Sequence, residues 1–431
     1  MSTIVRLQAR EILDSRGRPT VHASCHTKTG LGEASVPSGA STGGAEAVEL
    51  RDRDPARYGG LGCRGAVANI NGEIHAALEG LRISSQAELD ARLIALDGTP
   101  DKSRLGANAI LAVSIAFARA IAAERGLPLW QYFAGLVDVH PRTLPRLTIN
   151  LFSGGKHAGQ QVPVQDTLIV PVSSTTIDET LAIAYDVYQA AAELTRRRYS
   201  MRLLRADEGG LAPPFEEVDE MLETAVESIA RAGYTPGKDV VLAVDVAASH
   251  FYRDGLYWLG KARLTGEAMI AQLLQWTSSY PIISIEDGLA EDDWENWPSL
   301  LSAIGSRVLV VGDDLLCTHA DRIRRAIGAS AANALLLKVN QVGTLSEAGE
   351  ALRLARSAGW CVVLSVRSGE TEDHWAADLA VGWGAHQFKN GSITQSERLA
   401  KLNRLLEIEQ MTRLPLSTID IPSCMLNPAD R

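Results

Sequence analysis

Four apolar runs in the second half of the chain each lead into a charged residue, and this pattern constrains the fold most. The runs VVLAVD, IISIED, VLVVGD and ALLLK carry Asp245, Glu286, Asp313 and Lys338. A continuous apolar run of strand length is typical of a strand buried on both faces, as in a parallel sheet. We therefore expect the four charges to lie together at the carboxyl edge of one sheet.

The spacing of these charges predicts repeated strand–helix units. Successive charges are 41, 27 and 25 residues apart, and Val366 follows Lys338 by 28 residues, directly after another apolar run. One strand, one helix and their two loops need roughly that length. This half of the chain is therefore predicted to close a barrel whose polar strand ends share one face.

The first part of the chain has a different pattern. Residues 1–30 are predicted to form two antiparallel strands joined by a turn. The segment PSGASTGG at 37–44 is too rich in Gly and Ser for a helix interior and is predicted to be a mobile loop. From about 45 to 137 the pattern is helical, beginning with EAVELRD at 46–52. Strands followed by a group of helices indicate an α+β domain.

The boundary between the two parts is placed at the proline-containing segment 138–146. Beyond it, 147–152 and 166–171 are predicted strands, and 175–198 and 216–233 are predicted amphipathic helices. The predicted fold class is α/β, with an α+β capping domain at 1–137 and a β/α barrel at 138–431.

Charge and hydropathy argue against several classes of partner. The net charge is −10, whereas nucleic acids and anionic membrane surfaces require a basic face. No apolar run approaches the about 18 residues of a membrane span, and the start of the chain lacks the apolar core of a secretory signal. We therefore expect a cytoplasmic protein with a small-molecule substrate, without nucleic-acid or membrane partners.

The charged strand ends suit a metal site with an adjacent base. Asp245, Glu286 and Asp313 supply hard oxygen ligands, as Mg²⁺ prefers, and no His or Cys joins them as zinc would require. A single such acid could instead pair with an arginine, but three in register favour the metal. Lys338 is one of only eight lysines beside 34 arginines. Lysine can lose its proton and act as a base, although a strand-end salt bridge is the alternative.

Three other segments carry candidate site residues. ADEGG at 206–210 sets Asp207 beside Glu208, where close approach could hold one carboxyl protonated as a general acid. SGGKHAG carries His157 on a loop, although a lone histidine is more often structural. Side chains that could clamp phosphate and carboxylate follow the last two predicted strands; they are Arg367, Ser368 and Lys389.

Eight segments resemble the enolase family in order and spacing. They are AREILDSRG (9–17), VPSGASTG (36–43), ADEGG (206–210), SIEDG (284–288), GDDL (312–315), KVNQVGTLSE (338–347), RSGETED (367–373) and DLAVG (378–382). The chain is therefore identified as a member of that family. The resemblance implies an enolase-type (β/α)8 barrel with its active site at the carboxyl ends of the strands. It also implies a Mg²⁺-dependent carbon–oxygen lyase that forms homodimers, or octamers built as rings of dimers.

The resemblance also implies a role for each site residue. Lys338 removes the proton α to the substrate carboxylate, and Glu208 protonates the departing hydroxyl. Ser41 closes over the site and ligates a second Mg²⁺. Asp245, Glu286 and Asp313 are implied to bind the first Mg²⁺. His157, Arg367 and Ser368 are implied to bind the phosphoryl group, and Lys389 the carboxylate. Asp166 has an implied catalytic position, and Gln165 an implied contact with the substrate.

The chain departs from the family pattern on the side that handles the leaving hydroxyl. Enolases carry His at the position of Val366 and Glu at the position of Asp166. A valine can neither donate nor accept a proton, so its presence should lower ordinary activity by about 10²-fold or more. Nearby departures are Ala206 for Gly, Lys156 for Ser, Ser153 for Asn and Asn390 for Thr.

These departures predict the same chemistry on an altered substrate. Lys156 adds a cation beside the loop implied to bind the phosphoryl group, which suits a phosphorylated or phosphonylated glycerate with an extra carboxylate. The relatives that fit are the carboxyphosphonoenolpyruvate synthases of phosphinate-antibiotic pathways. One alternative is an ordinary phosphopyruvate hydratase in which His374 replaces the lost histidine. Another is a catalytically silent binding or structural protein.

Overall fold

A computed structural model describes residues 1–40 and 42–418. Its N-terminal part contains an antiparallel sheet with the strand order β3-β2-β1-β4. The strands are β1 (Ser2–Leu13), β2 (Pro19–Thr27), β3 (Leu31–Ser35) and β4 (Arg82–Ile83). The helices are α1 (Arg64–Asn69), α2 (His75–Leu78), α3 (Gln86–Asp97), α4 (Ala107–Glu124) and α5 (Leu129–Leu136).

Helix α4 is long and apolar enough to span a membrane by composition alone, but it is a core helix here and most of it is buried. It packs against β2 and β3 at very short range. A Cβ atom placed on Gly32 would lie 2.1 Å from the carbonyl oxygen of Ala116, so only glycine fits at this position of β3. The apolar character of α4 is therefore explained by tertiary packing.

The C-terminal part is a closed eight-stranded barrel with the order β11-β12-β13-β14-β15-β5-β6-β7. Its strands are β5 (Arg146–Ser153), β6 (Asp166–Pro171), β7 (Val240–Asp245), β11 (Ile282–Glu286), β12 (Leu309–Gly312), β13 (Ala334–Leu337), β14 (Cys361–Ser365) and β15 (Gln387–Lys389), and the short strands β8 (Tyr252–Arg253), β9 (Leu256–Leu259) and β10 (Ala262–Leu264) lie outside it. The predicted fold class, a β/α barrel preceded by an α+β domain, is confirmed.

Helices surround this barrel. They are α6 (Ile177–Tyr199), α7 (Val218–Arg231), α8 (Gly266–Ser279), α9 (Trp297–Ile304), α10 (Ala320–Ala329), α11 (Leu345–Ser357), α12 (Trp375–Gly382) and α13 (Ser396–Thr412). The interval of 41 residues between the first two charges is long because β8, β9 and β10 form a small antiparallel sheet between β7 and α8.

Strand β6 breaks the regular strand–helix alternation that the sequence predicted. It runs antiparallel to both of its neighbours, β5 and β7, whereas the remaining strand pairs of the barrel are parallel. Two helices, α6 and α7, then follow before β7. Because β6 is reversed, its first residue lies at the rim where the other strands end, and Asp166 is paired with Asp245 across the ladder.

The segment 46–52, predicted to begin a helical region, is not helical. Its backbone N–H groups bond to distant parts of the chain: Val48 to the Asp101 carbonyl at 2.8 Å, Asp52 to the Gly62 carbonyl at 2.8 Å, and Leu50 to the Asn108 side chain at 3.1 Å. These hydrogen bonds satisfy backbone N–H groups that would bond within the segment if it were a helix. The strand β3 was also not predicted.

Candidate active site

The barrel brings the four charges singled out in the sequence to one rim. Asp245 and Glu286 are the last residues of β7 and β11, Asp313 directly follows β12, and Lys338 directly follows β13. The three carboxylates are buried, with 3%, 5% and 7% of their surfaces exposed. Carboxylates that remain buried require a cation or hydrogen-bond donors nearby.

Lys389, the last residue of β15, provides a cation for two of these acids. Its Nζ donates to Asp245 Oδ2 at 2.8 Å and to Glu286 Oε2 at 2.6 Å. Burial by itself would raise the pKa of Asp245, but Lys389 lowers it to about 2. Burial and the adjacent Asp245 instead raise the pKa of Glu286 well above its ordinary value. The ammonium of Lys389 thus lies where two carboxylates can hold a positive charge.

The donor set at this position fits Mg²⁺. It consists of carboxylate oxygens, and Glu286 Oε1 is buried without a hydrogen-bond partner in the described part of the chain. Gln165 donates its Nε2 to Asp245 Oδ2 at 3.1 Å. Its own Oε1 is likewise buried and unpartnered among those residues. Ser41, predicted to ligate a second Mg²⁺, lies outside the described residues.

Asp313 is held on its other side by Lys338 and Gln341. Lys338 Nζ forms an ion pair with Asp313 Oδ2, and Gln341 Nε2 donates to Asp313 Oδ1 at 2.8 Å. Burial would lower the pKa of Lys338, but Asp313 raises it. Gln341 was not singled out in the sequence, although the segment KVNQVGTLSE contains it.

Asp287 fixes the backbone that carries Asp313. Its Oδ1 accepts from the Asp313 N–H at 2.9 Å, and its Oδ2 accepts from the Asp314 N–H at 2.7 Å. Oxygens of Asp287, Asp313 and Asp314 lie close enough together to hold a metal ion. Because both Asp287 oxygens are already bonded to backbone N–H groups, we interpret Asp287 as a support for the rim.

A second buried cluster lies beside the first and contains Asp166, His157 and Glu208. Asp166 Oδ1 accepts hydrogen bonds from Asn150 Nδ2 and Ser153 Oγ, both at 2.7 Å. Asp166 Oδ2 lies 2.8 Å from His157 Nδ1, and His157 Nε2 lies 3.9 Å from Glu208 Oε1. The three side chains are close enough to hold a metal, but the histidine and the aspartate are hydrogen-bonded to each other.

The two carboxyl groups beside His157 favour its protonated form, and burial raises the pKa of Asp166. Burial would lower the pKa of His157, but Asp166 and Glu208 raise it to about 9. Burial would raise the pKa of Glu208, but the positive charges of His157 and Arg398 lower it. The prediction that close approach keeps one of the two carboxyls of ADEGG protonated stays a prediction.

Arg367 and Ser368, predicted to bind the phosphoryl group, contact the N-terminal domain. Arg367 Nη1 lies 2.9 Å from Glu46 Oε2 and 3.0 Å from Asn340 Oδ1. Ser368 Oγ accepts from the Ala40 N–H at 2.8 Å and from Arg16 Nη1 at 3.2 Å. Arg16 and Glu46 were missed as individual residues, although Arg16 lies in the segment AREILDSRG.

The substituted positions differ in their surroundings. Val366 is buried, and its N–H donates to the Lys389 carbonyl at 3.2 Å. Lys156 is exposed on the loop that carries His157. The His374 side chain is 46% exposed and lies 3.5 Å from Asp378 at the start of α12. Because it is exposed and paired with Asp378, the imidazole of His374 does not replace the imidazole that enolases carry at the position of Val366.

Comparison with protein-family models agrees with this geometry. The model described as enolase, N-terminal domain, matches residues 4–133, and the model described as enolase, C-terminal TIM barrel domain, matches residues 141–413. The matched domains support an enolase-superfamily function of the dehydratase type, and this family generally uses Mg²⁺. Because the two matches extend over most of the chain, this protein belongs to the enolase family.

Proposed function

We propose that the protein catalyses Mg²⁺-dependent elimination of water from a 2-phosphoglycerate analogue, giving an enolpyruvyl product. The analogue would carry an additional anionic group, as the substrate of a carboxyphosphonoenolpyruvate synthase does. Two Mg²⁺ ions and a homodimeric, cytoplasmic enzyme are part of this proposal. The family membership supports the reaction class, and the substitutions support the altered substrate.

The observation that carries the proposal is an asymmetry within the site. Lys338 and the three carboxylates stand together on one rim, as proton abstraction requires. On the side that handles the leaving hydroxyl, a buried valine stands where the family has an imidazole. A protein without catalytic function would have no reason to retain a buried lysine beside three buried acids, because such groups are costly to bury.

The buried groups define the steps that the chain itself can perform. Lys338, once it has released its proton, would remove the proton at C2 of the substrate. Bound Mg²⁺ would oppose the negative charge that develops on the substrate carboxylate. With Asp245 and Glu286 binding Mg²⁺, Lys389 would no longer pair with them and would hold the substrate carboxylate instead. Arg16, Arg367 and Ser368 would face the phosphoryl end.

Lys156 supports the extra anionic group. Its side chain is exposed and follows directly on the glycine pair of the loop whose next residue, His157, reaches into the site. An exposed cation next to the site attracts a substrate that carries more negative charge. Gln165 and Asp166, at the start of β6, would contact the opposite side of the substrate.

Activity measurements with two compounds test the proposal. One compound is 2-phosphoglycerate, and the other is its analogue with a carboxylate on phosphorus. We expect the analogue to be eliminated with the higher kcat/KM. Lys338→Ala should reduce the elimination of either compound by at least about 10³-fold, since it removes the base while leaving the carboxylates. Ordinary enolase rates on 2-phosphoglycerate, with none on the analogue, would contradict the altered substrate.

The ordinary phosphopyruvate hydratase reaction is the second candidate. One observation favours it: an imidazole, that of His157, still faces Glu208 across 3.9 Å. The same two-compound comparison separates the candidates. A catalytically silent binding protein would instead show no binding of Mg²⁺ by titration calorimetry.

A further inference from the structure

A cavity of about 430 Å³ lies between the N-terminal domain and the barrel. Small-molecule sites typically enclose about 300–1,000 Å³, so this volume suits a small organic ligand. Ala45, Ala47 and residues 100–102 form one side of the cavity, and α10 and the segment 341–342 contribute to the other. Neither Lys338 nor the three carboxylates of the rim are among the described residues that line it. We call it the interdomain cavity.

Two arginines of α10 line the interdomain cavity. Arg322 and Arg325, three residues apart, lie on the same face of the helix, and Arg322 is half-buried. Arg322 Nε donates to the Leu315 carbonyl at 2.6 Å, and its Nη2 donates to the Glu291 carbonyl at 3.2 Å. Backbone carbonyls orient a guanidinium but do not neutralise it. The charge of Arg322 is therefore held in a fixed place beside the cavity.

Trp294 supports both guanidinium groups. The Cζ atom of Arg325 lies 3.8 Å from the centre of the indole ring system, and that of Arg322 lies 5.4 Å from it. Contact with an aromatic face holds a guanidinium and leaves its charge in place, whereas a carboxylate would cancel it. Within the part of the chain that the structure describes, neither arginine forms an ion pair, although Arg324 between them pairs with Asp321. Two positive charges are therefore available to a ligand.

The acids that line the interdomain cavity already have partners. Glu347 pairs with Lys102 at 2.8 Å, and Asp321 pairs with Arg324 at 2.7 Å. Asp101, the remaining acid of the described lining, accepts a backbone N–H of its own turn at 3.1 Å. Its single negative charge stands against the two arginines, so the lining carries an excess of positive charge. Such an excess attracts an anion.

Apolar side chains form another part of the lining. Ala45, Ala47, Pro100 and Val342 contribute groups without polar side-chain atoms. A bare inorganic anion would bond to the arginines and leave these apolar groups in contact with water. A ligand with both an anionic group and an apolar body would cover both parts. Small-molecule sites commonly combine apolar walls with a few polar anchors in this way.

We propose that the interdomain cavity is a second ligand site, which binds a small organic anion with an apolar body through Arg322 and Arg325. The anionic group is a phosphate ester or a carboxylate, because a guanidinium donates to two oxygens of either group. The ligand is not the substrate of the elimination, since Lys338 does not line the cavity. Binding at this site requires neither Mg²⁺ nor the proposed reaction.

Titration calorimetry with three compounds tests this site in the metal-free protein. Phenyl phosphate and benzoate each combine an apolar ring with one of the two anionic groups, while phenol has the ring without the anion. We expect at least one of the two anions to bind and phenol not to bind. Arg322→Gln combined with Arg325→Gln should weaken the binding of that anion by about tenfold or more, because hydrogen bonds to charged groups are the stronger ones.

A matched control separates the cavity from net charge. Arg196→Gln combined with Arg197→Gln removes the same charge from exposed positions on α6 and should leave the affinity unchanged.

Tryptophan fluorescence locates the bound anion. The anion should change the emission of wild type, and this change should be lost in Trp294→Phe, because the indole that contacts Arg325 is then absent. Circular dichroism checks that each variant folds. If the double variant of α10 does not fold, Arg325→Gln alone takes its place, since it keeps the bonds of Arg322 to the two carbonyls.

Each outcome decides for or against the second site. Weaker binding by the α10 variant, with unchanged binding by the control, supports it, and the anion that binds more tightly identifies the anionic group. Equal affinity of the α10 variant and wild type would mean that the anion binds elsewhere, and it would overturn the proposal. A fluorescence change that persists in Trp294→Phe, no binding of either anion, or binding of phenol as tight as that of the anions would also overturn it.

Discussion

At the scale of single residues, Lys389 offsets part of the negative charge of the predicted metal site. Its ammonium lies between Asp245 Oδ2 and Glu286 Oε2, the same carboxylates that suit Mg²⁺. Two positive charges cannot share these oxygens at low cost, because unit charges a few ångströms apart repel by several kcal/mol even at a partly buried site. Lys389 and a bound cation therefore compete.

The competition predicts how a lysine variant binds metal. We expect Lys389→Met to bind Mg²⁺ about tenfold more tightly than wild type, because its two carboxylates lose their internal cation. Titration calorimetry with magnesium chloride measures the change. Lys156→Met, which removes an exposed cation on a neighbouring loop, is the matched control and should change the affinity little. Weaker Mg²⁺ binding by Lys389→Met would show that the lysine does not occupy the position of the metal.

At the scale of secondary-structure elements, the sequence predicted residues at the ends of parallel strands best. An apolar run ended by a charge is visible in the sequence, and it identified Asp245, Glu286, Asp313 and Lys338 correctly as neighbours. Asp166 shows no such signal because it begins a strand. It reaches the same rim only because β6 is reversed. The direction of a strand within a sheet cannot be predicted from an apolar run alone.

Contacts between distant elements were also beyond local sequence patterns. Gln341 contributes through its bond to Asp313, and Glu46 through its pair with Arg367, which is remote in sequence. The segment around Glu46 has helical periodicity but is not helical, since other segments satisfy its backbone. The charge of Glu208 depends on cations brought together only by the fold. Family motifs located several of these residues, while their physical roles required the structure.

The connection between β11 and β12 offers a prediction at this scale. Asp287 follows β11 and accepts hydrogen bonds from two backbone N–H groups that follow β12. In Asp287→Asn, an NH₂ group replaces one carboxylate oxygen and cannot accept a hydrogen bond. We expect this variant to lose about 1–3 kcal/mol of unfolding free energy and to bind Mg²⁺ more weakly. Denaturant titration and calorimetry measure the two effects.

A matched control separates geometry from net charge. Asp292→Asn removes the same charge from an exposed position nearby and should leave stability and metal affinity close to wild type. If Asp287→Asn behaves like this control, the two backbone hydrogen bonds do not hold the rim, and Asp287 has to be reconsidered as a metal ligand.

At the scale of the whole molecule, the N-terminal domain completes the site that the barrel begins. Arg16 and Ala40 both donate to Ser368, and Glu46 pairs with Arg367. The Arg367–Glu46 pair is almost entirely buried, with side-chain exposures of 3% and 8%. A second pair between the domains, Lys102–Glu347, leaves 34% of its glutamate exposed. The buried pair therefore depends far more on the domains remaining together.

This difference predicts how the domains share their stability. Glu46→Gln removes the carboxylate that pairs with the buried Arg367 guanidinium, and removing one partner of a buried ion pair costs about 3–5 kcal/mol. We expect that decrease in unfolding free energy by denaturant titration. Glu347→Gln, the matched change in the pair whose carboxylate is more exposed, should cost less, because solvent reaches the Glu347 carboxylate although Lys102 is buried.

The same variant tests whether Arg367 is available to an anionic substrate. Inorganic phosphate bound at Arg367 would restore the missing negative charge, so it should raise the thermal midpoint of Glu46→Gln more than that of wild type. An equal rise in both proteins would mean that phosphate does not reach Arg367. A Glu46→Gln variant as stable as wild type would mean that solvent reaches the pair, because only a dry guanidinium requires its partner. The domain contact would then be looser than the buried ion pair indicates, and Arg367 would meet the substrate from a hydrated surface.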